Sequence, residues 1–333
     1  MRWRPAASED FVVDEIPAYA PSGEGTHTFV RIEKRDCNTE EVVRLLASAA
    51  RVAPSEIGYA GRKDRVAIAR QWLSVPNLDP LLALELVLPR VRVLEAARHP
   101  HKLRTGHLRG NAFEIAVRDV DAVTAARART RLGEMANTGM PNRYGEQRFG
   151  RDGDNAIRAA ALLSGRETLR DRRHARFLVS ALQSAVFNEV LARRPLPIET
   201  VEVGDVAMVQ ASGGLFVVED LAREAPRAAA FEISATGPIF GSRVLEASGA
   251  PAQRERDALR ACGLDPDVVP TPPRGVRLHG ARRALRVPVP GARADFDEGI
   301  LRLRFVLPPG SYATVLIEEL LQPDDATRES GLL

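Results

Sequence analysis

Apolar and polar positions along the chain divide it into short extended runs and a few clear helices. Phe11-Val12-Val13 opens a strand, Pro21-Ser22-Gly23-Glu24-Gly25 is turn chemistry, and Phe29-Val30-Arg31-Ile32 resumes the extended pattern. Asn38 then stands as the N-cap of a helix with Glu41 at its third position, a variant of the capping box. Val42, Val43, Leu45, Leu46 and Ala49 give that helix one apolar face, and Pro54 follows its end. Ile57 to Arg65 is a glycine-punctuated loop, and Val66 to Val75 is again extended. A strand is expected near Val91–Leu94, and a period of two over Phe113–Arg118 predicts a half-buried one. Residues 121 to 137 form an Ala/Arg-rich helix stopped by Gly139.

Gly139 to Asn155 is a loop rich in Gly, Asn, Arg and aromatics. Helices follow at about 155–164 and 174–193. From 195 to 290 the chain is rich in Pro and Gly, with short strands such as Leu215–Val218. Alternation returns at Leu301–Phe305, and Ser311 is placed to cap a final helix over Tyr312–Leu321. The change of texture near 139 and its reversal near 288 predict an interrupted fold. Residues 1–138 and 288–333 would make one α/β (α+β) domain, with 139–287 inserted into it.

Composition narrows the class. The chain has 333 residues, 44% hydrophobic and 27% charged, with a formal net charge of +3. That length is enough to bury about 75% of the unfolded chain's surface. No apolar leader follows Met1, and the longest apolar stretch, Leu81–Leu88, is interrupted by Glu85, so a soluble cytoplasmic protein is expected. Cys37 and Cys262 are isolated and lack metal-site spacing. The basic residues are lopsided: Lys34, Lys63 and Lys102 are the only lysines among 47 Lys and Arg. Such a bias is mostly compositional, although arginine also suits planar contact with phosphate.

The local chemistry points towards a polyanion. Arg98, Lys102, Arg104 and Arg109 occur in a stretch from Arg98 to Phe113 that has no acid, and Arg62, Lys63, Arg65 and Arg70 surround Asp64. Interleaved with Asn111, Phe113, Asn142, Tyr144 and Phe149, these resemble a nucleic-acid cleft with stacking groups. A solvated charged face would look the same. His99, His101 and His107 lie among these cations, which disfavours a bound metal there. Nucleotide-binding, zincin and serine-hydrolase motifs are missing from the sequence. Asp64 stands out as an acid between Lys63 and Arg65 on a glycine-rich loop, a setting that favours its charged form. It could serve as nucleophile or base. An ordinary Asp–Arg surface pair has the same local look.

A family resemblance separates these alternatives. Gly61-Arg62-Lys63-Asp64-Arg65, followed by Gln71-Trp72-Leu73-Ser74-Val75, resembles the G-x-K-D-[RK] motif of the D family of tRNA pseudouridine synthases. Glu9–Val13, Gly23–His27, Cys37–Thr39, Lys102–Arg104, Gly110–Phe113, Pro141–Gly150, Phe187-Asn188 and Leu307–Thr314 resemble further blocks of that family, in family order.

The resemblance implies the pseudouridine synthase fold, a mixed and largely antiparallel sheet flanked by helices, interrupted by an α/β insertion peculiar to the family. It implies isomerisation of uridine to pseudouridine in tRNA, at position 13 in bacteria, without cofactor or metal. No membrane or protein partner is implied, and a monomer is expected. By motif position Asp64 is the nucleophile, while Phe11, Asn111, Phe113 and Tyr312 line the uridine pocket. Asn111 and Phe113 lie two apart on a strand and share a face, so an amide can read the base edge beside a packed ring. Arg4, Lys63, Arg65, Lys102, Arg104 and Arg148 are the candidates for holding RNA or pairing with Asp64. Arg4 lies one residue out of step with the basic position that members carry before E-D-F, and Tyr312 stands where some members have Phe. A non-catalytic RNA-binding protein using the same cleft is the alternative.

Overall fold

The computed structural model describes residues 3–150, 152–268 and 270–323. In chain order the elements begin with β1 (Phe11–Pro17), β2 (His27–Arg35), α1 (Thr39–Ala50), β3 (Gly58–Tyr59), β4 (Ile68–Pro76), α2 (Pro80–Leu84), β5 (Val91–His99), β6 (Leu108–Val117) and α3 (Ala122–Thr138). Next come β7 (Met140–Pro141), α4 (Asn155–Leu163), α5 (Arg172–Ala192), β8 (Val206–Val209), β9 (Leu215–Val217), α6 (Leu221–Ala229), β10 (Ile233–Ile239), α7 (Gly249–Ala261), β11 (Ala281–Ala284) and β12 (Arg286–Val287). The last are β13 (Arg293–Asp297), β14 (Ile300–Leu307) and α8 (Ala313–Leu321). Two compact units emerge. The first contains the described residues up to Ala136, Val289–Ala313 and those from Ile317 on; the second contains Asn137–Pro288 and Thr314–Leu316.

The first unit is built on a mixed, largely antiparallel sheet in the order β13-β14-β6-β1-β4-β2-β5, with β3 paired to β4. Only the β1–β4 pair is parallel. Helix α1 starts where its sequence dictates: the Asn38 side chain accepts from the Glu41 N–H at 2.8 Å. It ends at Arg51, whose left-handed backbone (φ 56°) stops the helix. Val42, Val43, Leu46 and Ala47 of α1 bury against Val30, Ile32, Leu73 and Val75 of the sheet.

Side chains two apart on a strand share a face. On the face covered by α1, β2 presents Ile32 and Lys34, β4 presents Ala69 and Gln71, and β1 presents Val13 and Glu15. On β6 that face carries Asn111 and Phe113, and on β14 Phe305 and Leu307. Four adjacent strands thus each set one polar residue among apolar ones: Lys34, Gln71, Glu15 and Asn111. Lys34, Gln71 and Glu15 are almost fully buried. Such groups are costly unless hydrogen-bonded, so their partners shape what lies above them.

The second unit has two apolar clusters. Leu162, Leu163, Leu178, Leu182, Val186 and Phe240 join α4, α5 and the end of β10, with Ala258 of α7. Phe187, Val201, Ile233, Ala235 and Leu285 line the four-stranded sheet β11-β10-β8-β9. Arg286 is buried over the Phe231 ring, 3.9 Å from its centroid, and donates to Thr138 O, Ala228 O, Ile233 O and Ser234 Oγ. Burial pulls its pKa down to about 10.

Some local expectations shift. The strand expected at Val91–Leu94 runs on to His99, because β2 pairs with it along that whole length. The N-cap of α8 is Tyr312, not Ser311: the Ser311 N–H still closes a turn onto Pro308 O, after Gly310 at φ 81°. The strands β8, β10 and β11 and the helices α6 and α7 fall where the sequence shows only Pro/Gly-rich texture, while β13 carries an alternation over Arg293–Asp297 that sequence reasoning missed.

Candidate active site

The loop from Gly61 to Arg65 is held down by the polar residues of the sheet face. Lys34 donates from Nζ to Cys37 O and to Asp64 O, so a buried ammonium grips the backbone of Asp64 itself. One residue earlier, the Lys63 N–H donates to Thr39 Oγ1 at 2.9 Å, and Thr39 donates in turn to Gln71 Oε1 at 3.1 Å. The Lys63 side chain turns inwards and donates to Glu15 Oε2 at 2.7 Å and to Asn111 Oδ1 at 2.8 Å. Glu15 completes the chain by accepting from the Trp72 N–H through Oε1 at 3.2 Å. Burial depresses the pKa of Lys34, an effect that the Cys37 and Asp64 charges only partly offset.

These anchors leave the side chain of Asp64 exposed, and its carboxylate makes no hydrogen bond or ion pair among the described residues. Lys63 and Arg65, expected to flank it as counter-charges, are engaged elsewhere. Lys63 is buried against Glu15, and Arg65 pairs with Glu41 at 3.2 Å. The rest of that basic cluster is likewise neutralised, Arg62 by Glu40 at 2.9 Å and Arg70 by Glu33 at 2.9 Å. The local surplus of positive charge inferred from the linear window is therefore cancelled by carboxylates from β1, β2 and α1.

The aromatic candidates form a row beside Asn111. Phe113 packs between Phe11, at 5.8 Å between centroids, and Phe305, at 5.3 Å in a stacked arrangement; Trp3 leans on Phe11 at 6.0 Å. Both Phe11 and Phe113 are buried, so they floor the site and leave little ring face open. Strand β14 ends at Leu307, the register partner of Asn111, and the next turn carries the chain to half-buried Tyr312. Arg4 is exposed and makes no hydrogen bond or ion pair among the described residues.

Positive charge does survive in the segment after β5. Lys102, Arg104 and Arg109 face no carboxylate within ion-pair distance among the described residues; Lys102 donates instead to Ser55 O. Lys102 and Arg104 line each of two concavities. One, of about 630 Å³, is lined by Arg44, Pro54, Ile57 and Tyr59; the other, of about 570 Å³, by Tyr19, His99, His101 and His107. Tyr19 stacks on His99 at 5.2 Å and hydrogen-bonds His107 Nδ1 at 2.6 Å. Burial and neighbouring cations keep His27 and His99 below the ordinary histidine pKa. Arg148 belongs to the second unit, where it donates to Ser180 and Ser184 and lies 6.0 Å from the Tyr144 ring centroid.

Sequence reasoning missed Glu15, Lys34, Thr39 and Gln71. A signal was present: Glu15 and Lys34 continue the alternations Phe11-Val13 and Val30-Ile32, so each puts a charge on a core-facing position. Among the described residues, no group of three or more His, Cys, Asp or Glu is arranged to hold a metal, and no helix is long and apolar enough to cross a membrane.

Comparison with known proteins adds a family to this geometry. The profile of tRNA pseudouridine synthase D (TruD) matches residues 5–167 and 168–320. The chain belongs to the tRNA pseudouridine synthase D family. It is 42% identical over 322 residues to tRNA pseudouridine synthase D of Anaeromyxobacter sp. (strain Fw109-5), covering 94% of this chain and 90% of that one. The enzyme of the same name from Geobacter sp. (strain M21) is 38% identical over 382 residues, with 96% of each chain covered. That of Thermus thermophilus is 42% identical over 318 residues, covering 94% and 87%. A crystal structure from Methanosarcina mazei, provisionally assigned as tRNA pseudouridine synthase D, superposes with a TM-score of 0.76 at 23% identity, covering 95% of this chain and 92% of that one. That likeness supports the mixed-sheet fold.

Proposed function

We propose that this member of the tRNA pseudouridine synthase D family isomerises uridine to pseudouridine in tRNA, at position 13, with Asp64 as nucleophile. The observation that carries the assignment is the state of Asp64. Its backbone is clamped by a buried lysine, while its carboxylate stands exposed and unpaired, one residue on from the lysine that binds the Asn111 amide. Anchored backbone with a free functional group is what a reaction needs that gains rate from fixed geometry.

The chemistry needs no redox partner. The N1–C1′ bond breaks, the base turns, a C5–C1′ bond forms, and the hydrogen on C5 leaves as a proton. Attack at C6, attack at C1′ and passage through a glycal all begin from a carboxylate placed on the flipped nucleotide. Extrusion of that uridine costs a few kcal/mol, which phosphate contacts to Lys102, Arg104 and Arg109 help to offset. Phe11, Phe113 and Tyr312 enclose the base, and Asn111 meets its polar edge. Residues 1–138 and 288–333 form the catalytic domain, and 139–287, with Arg148, the insertion that contributes to tRNA choice. The protein works as a cytoplasmic monomer without metal or cofactor.

Tritium release from tRNA transcripts labelled at uridine C5, followed by mapping of the product, tests this function. The wild-type chain is expected to release tritium and Asp64→Asn to release none. An RNA-binding protein without catalysis would bind the transcript and release nothing in either form. Wild-type turnover by the Asp64→Asn protein would remove Asp64 from the mechanism.

A further inference from the structure

Lysine carries three donors and no acceptor, so an amide that meets an ammonium must present its oxygen. Lys63 Nζ lies 2.8 Å from Asn111, and that contact assigns Oδ1 to the ammonium without relying on any other neighbour. The amide nitrogen is then directed away. Nδ2 of Asn111 makes no hydrogen bond among the described residues, and it is not among the buried unpartnered atoms, so it reaches solvent. Lys63 is itself fixed: its side chain is 6% exposed, its other bond goes to Glu15 at 1% exposure, and Glu15 is pinned by the Trp72 N–H. A single file of bonds thus runs from the sheet backbone through two buried charges to one amide at the edge of the site.

We infer that the buried Glu15–Lys63 pair is a positioning device that locks the Asn111 amide with its N–H₂ edge towards the substrate, making this position a donor that selects a pyrimidine carbonyl. The inference rests on the placement of Asn111 in the uridine pocket proposed above. A donor fixed in this sense matches either carbonyl of uracil, whereas the exocyclic amine of cytosine would present hydrogens to hydrogens at position 4. Sites built around such a hydrogen bond reject the mismatched group far more strongly than apolar pockets do, because a polar group is left unpaired. Glu15 and Lys63 touch no substrate in this arrangement; they act through Asn111.

The test is a mutant cycle read by single-turnover tritium release from C5-labelled tRNA. The paired variant Glu15→Gln/Lys63→Met removes both charges together, so neither is left buried alone. Asn111→Ala is expected to lower the rate about 30-fold or more in the wild-type background and less than about threefold in the paired variant, where the amide is no longer held. Equal losses in both backgrounds would reduce the pair to a structural role and overturn the inference. Asn111→Asp, whose carboxylate keeps an acceptor on Lys63 but has no donor, is the second arm and does not depend on the paired variant folding. It should lose as much activity as Asn111→Ala; activity within threefold of wild type would overturn the donor assignment. Failure of the proposed function reads differently, as no tritium release by the wild-type chain.

Discussion

Lys34 offers a sharp test of how the Asp64 loop is held. Lys34→Met deletes an ammonium and keeps the aliphatic stem, so packing against the sheet is largely preserved. Two carbonyls, Cys37 O and Asp64 O, lose their donor. Hydrogen bonds to a charged group are worth about 1.5–3 kcal/mol each, which puts the gross loss at roughly 3–6 kcal/mol. Against it stands relief from burying a charge that is 1% exposed and has no carboxylate within ion-pair distance among the described residues, a penalty of several kcal/mol. The two nearly cancel, so net stability should change by no more than about 2 kcal/mol in either direction. For a chain of this size that is a melting shift within roughly 5 °C.

Turnover should not be spared. The Asp64 backbone loses its anchor, and a displacement near 1 Å of a reacting group costs on the order of 100-fold, so tritium release should fall by about 10- to 100-fold. Thermal melts and single-turnover rates on one preparation are sufficient. A folded Lys34→Met protein with a rate within twofold of wild type would refute the clamp. A pH titration gives a second readout with a definite sign. Burial lowers the folded pKa of Lys34, so between that value and about 10.4 the unfolded chain holds a proton that the native chain has released. Stability attributable to Lys34 therefore rises with pH across that window, and Lys34→Met should flatten the rise.

Other expectations follow from the same packing. Gly58→Ala would press a Cβ into Leu103 O and Ser74 Oγ, so urea unfolding should show a loss of about 1–3 kcal/mol or more; an unchanged midpoint would contradict the packing. His27 and His99 have folded pKa values below the ordinary histidine value, so the unfolded chain takes up protons first. Stability present above about pH 6.5 should be lost as pH falls through the window below it, by at most about 1.4 kcal/mol per pH unit for each histidine. His99→Gln should flatten that slope in urea titrations between about pH 7.5 and 5.5, and an identical slope would rule His99 out as a contributor. Burial raises the Cys262 thiol to about 11, so iodoacetamide at about pH 8 should modify it at least about 100-fold more slowly in the native chain than in denaturant; equal rates would contradict its burial.

Local chemistry is legible in the sequence and pairing is not. Asn38 capping α1, Gly139 ending α3 and the alternation over Phe113–Arg118 each depend on a few neighbouring residues, so a linear window contains the whole cause. Asp64 is marked by its place in the family motif, not by the charges beside it. The cations around Asp64 mislead because Glu15, Glu33, Glu40 and Glu41 lie 23 to 49 positions away and meet them only after the sheet forms. In the second unit α6 carries an internal proline and β8 and β11 have four residues each, so periodicity has little length in which to show.

The arginine bias of the composition takes on a different meaning once the lysines are placed. Every lysine in the chain uses Nζ on acceptors of the protein: Lys34 on Cys37 O and Asp64 O, Lys63 on Glu15 and Asn111, and Lys102 on Ser55 O. An ammonium is a compact point with three donors, able to meet acceptors that converge on one atom, while a guanidinium spreads its donors in a rigid plane. At Lys34 and Lys63 two acceptors converge from different segments within a buried space, where a planar fork would have to displace one of them. Arginine holds other interior sites here, as Arg286 and Arg194 show, but there its several nitrogens reach acceptors that are spread out. The lysines therefore follow local geometry, and Lys63→Arg should disturb the loop despite preserving charge. Catalytic rate is the property it would move, because the larger head group would break one of the two hydrogen bonds by which Lys63, the neighbour of Asp64, holds Glu15 and Asn111.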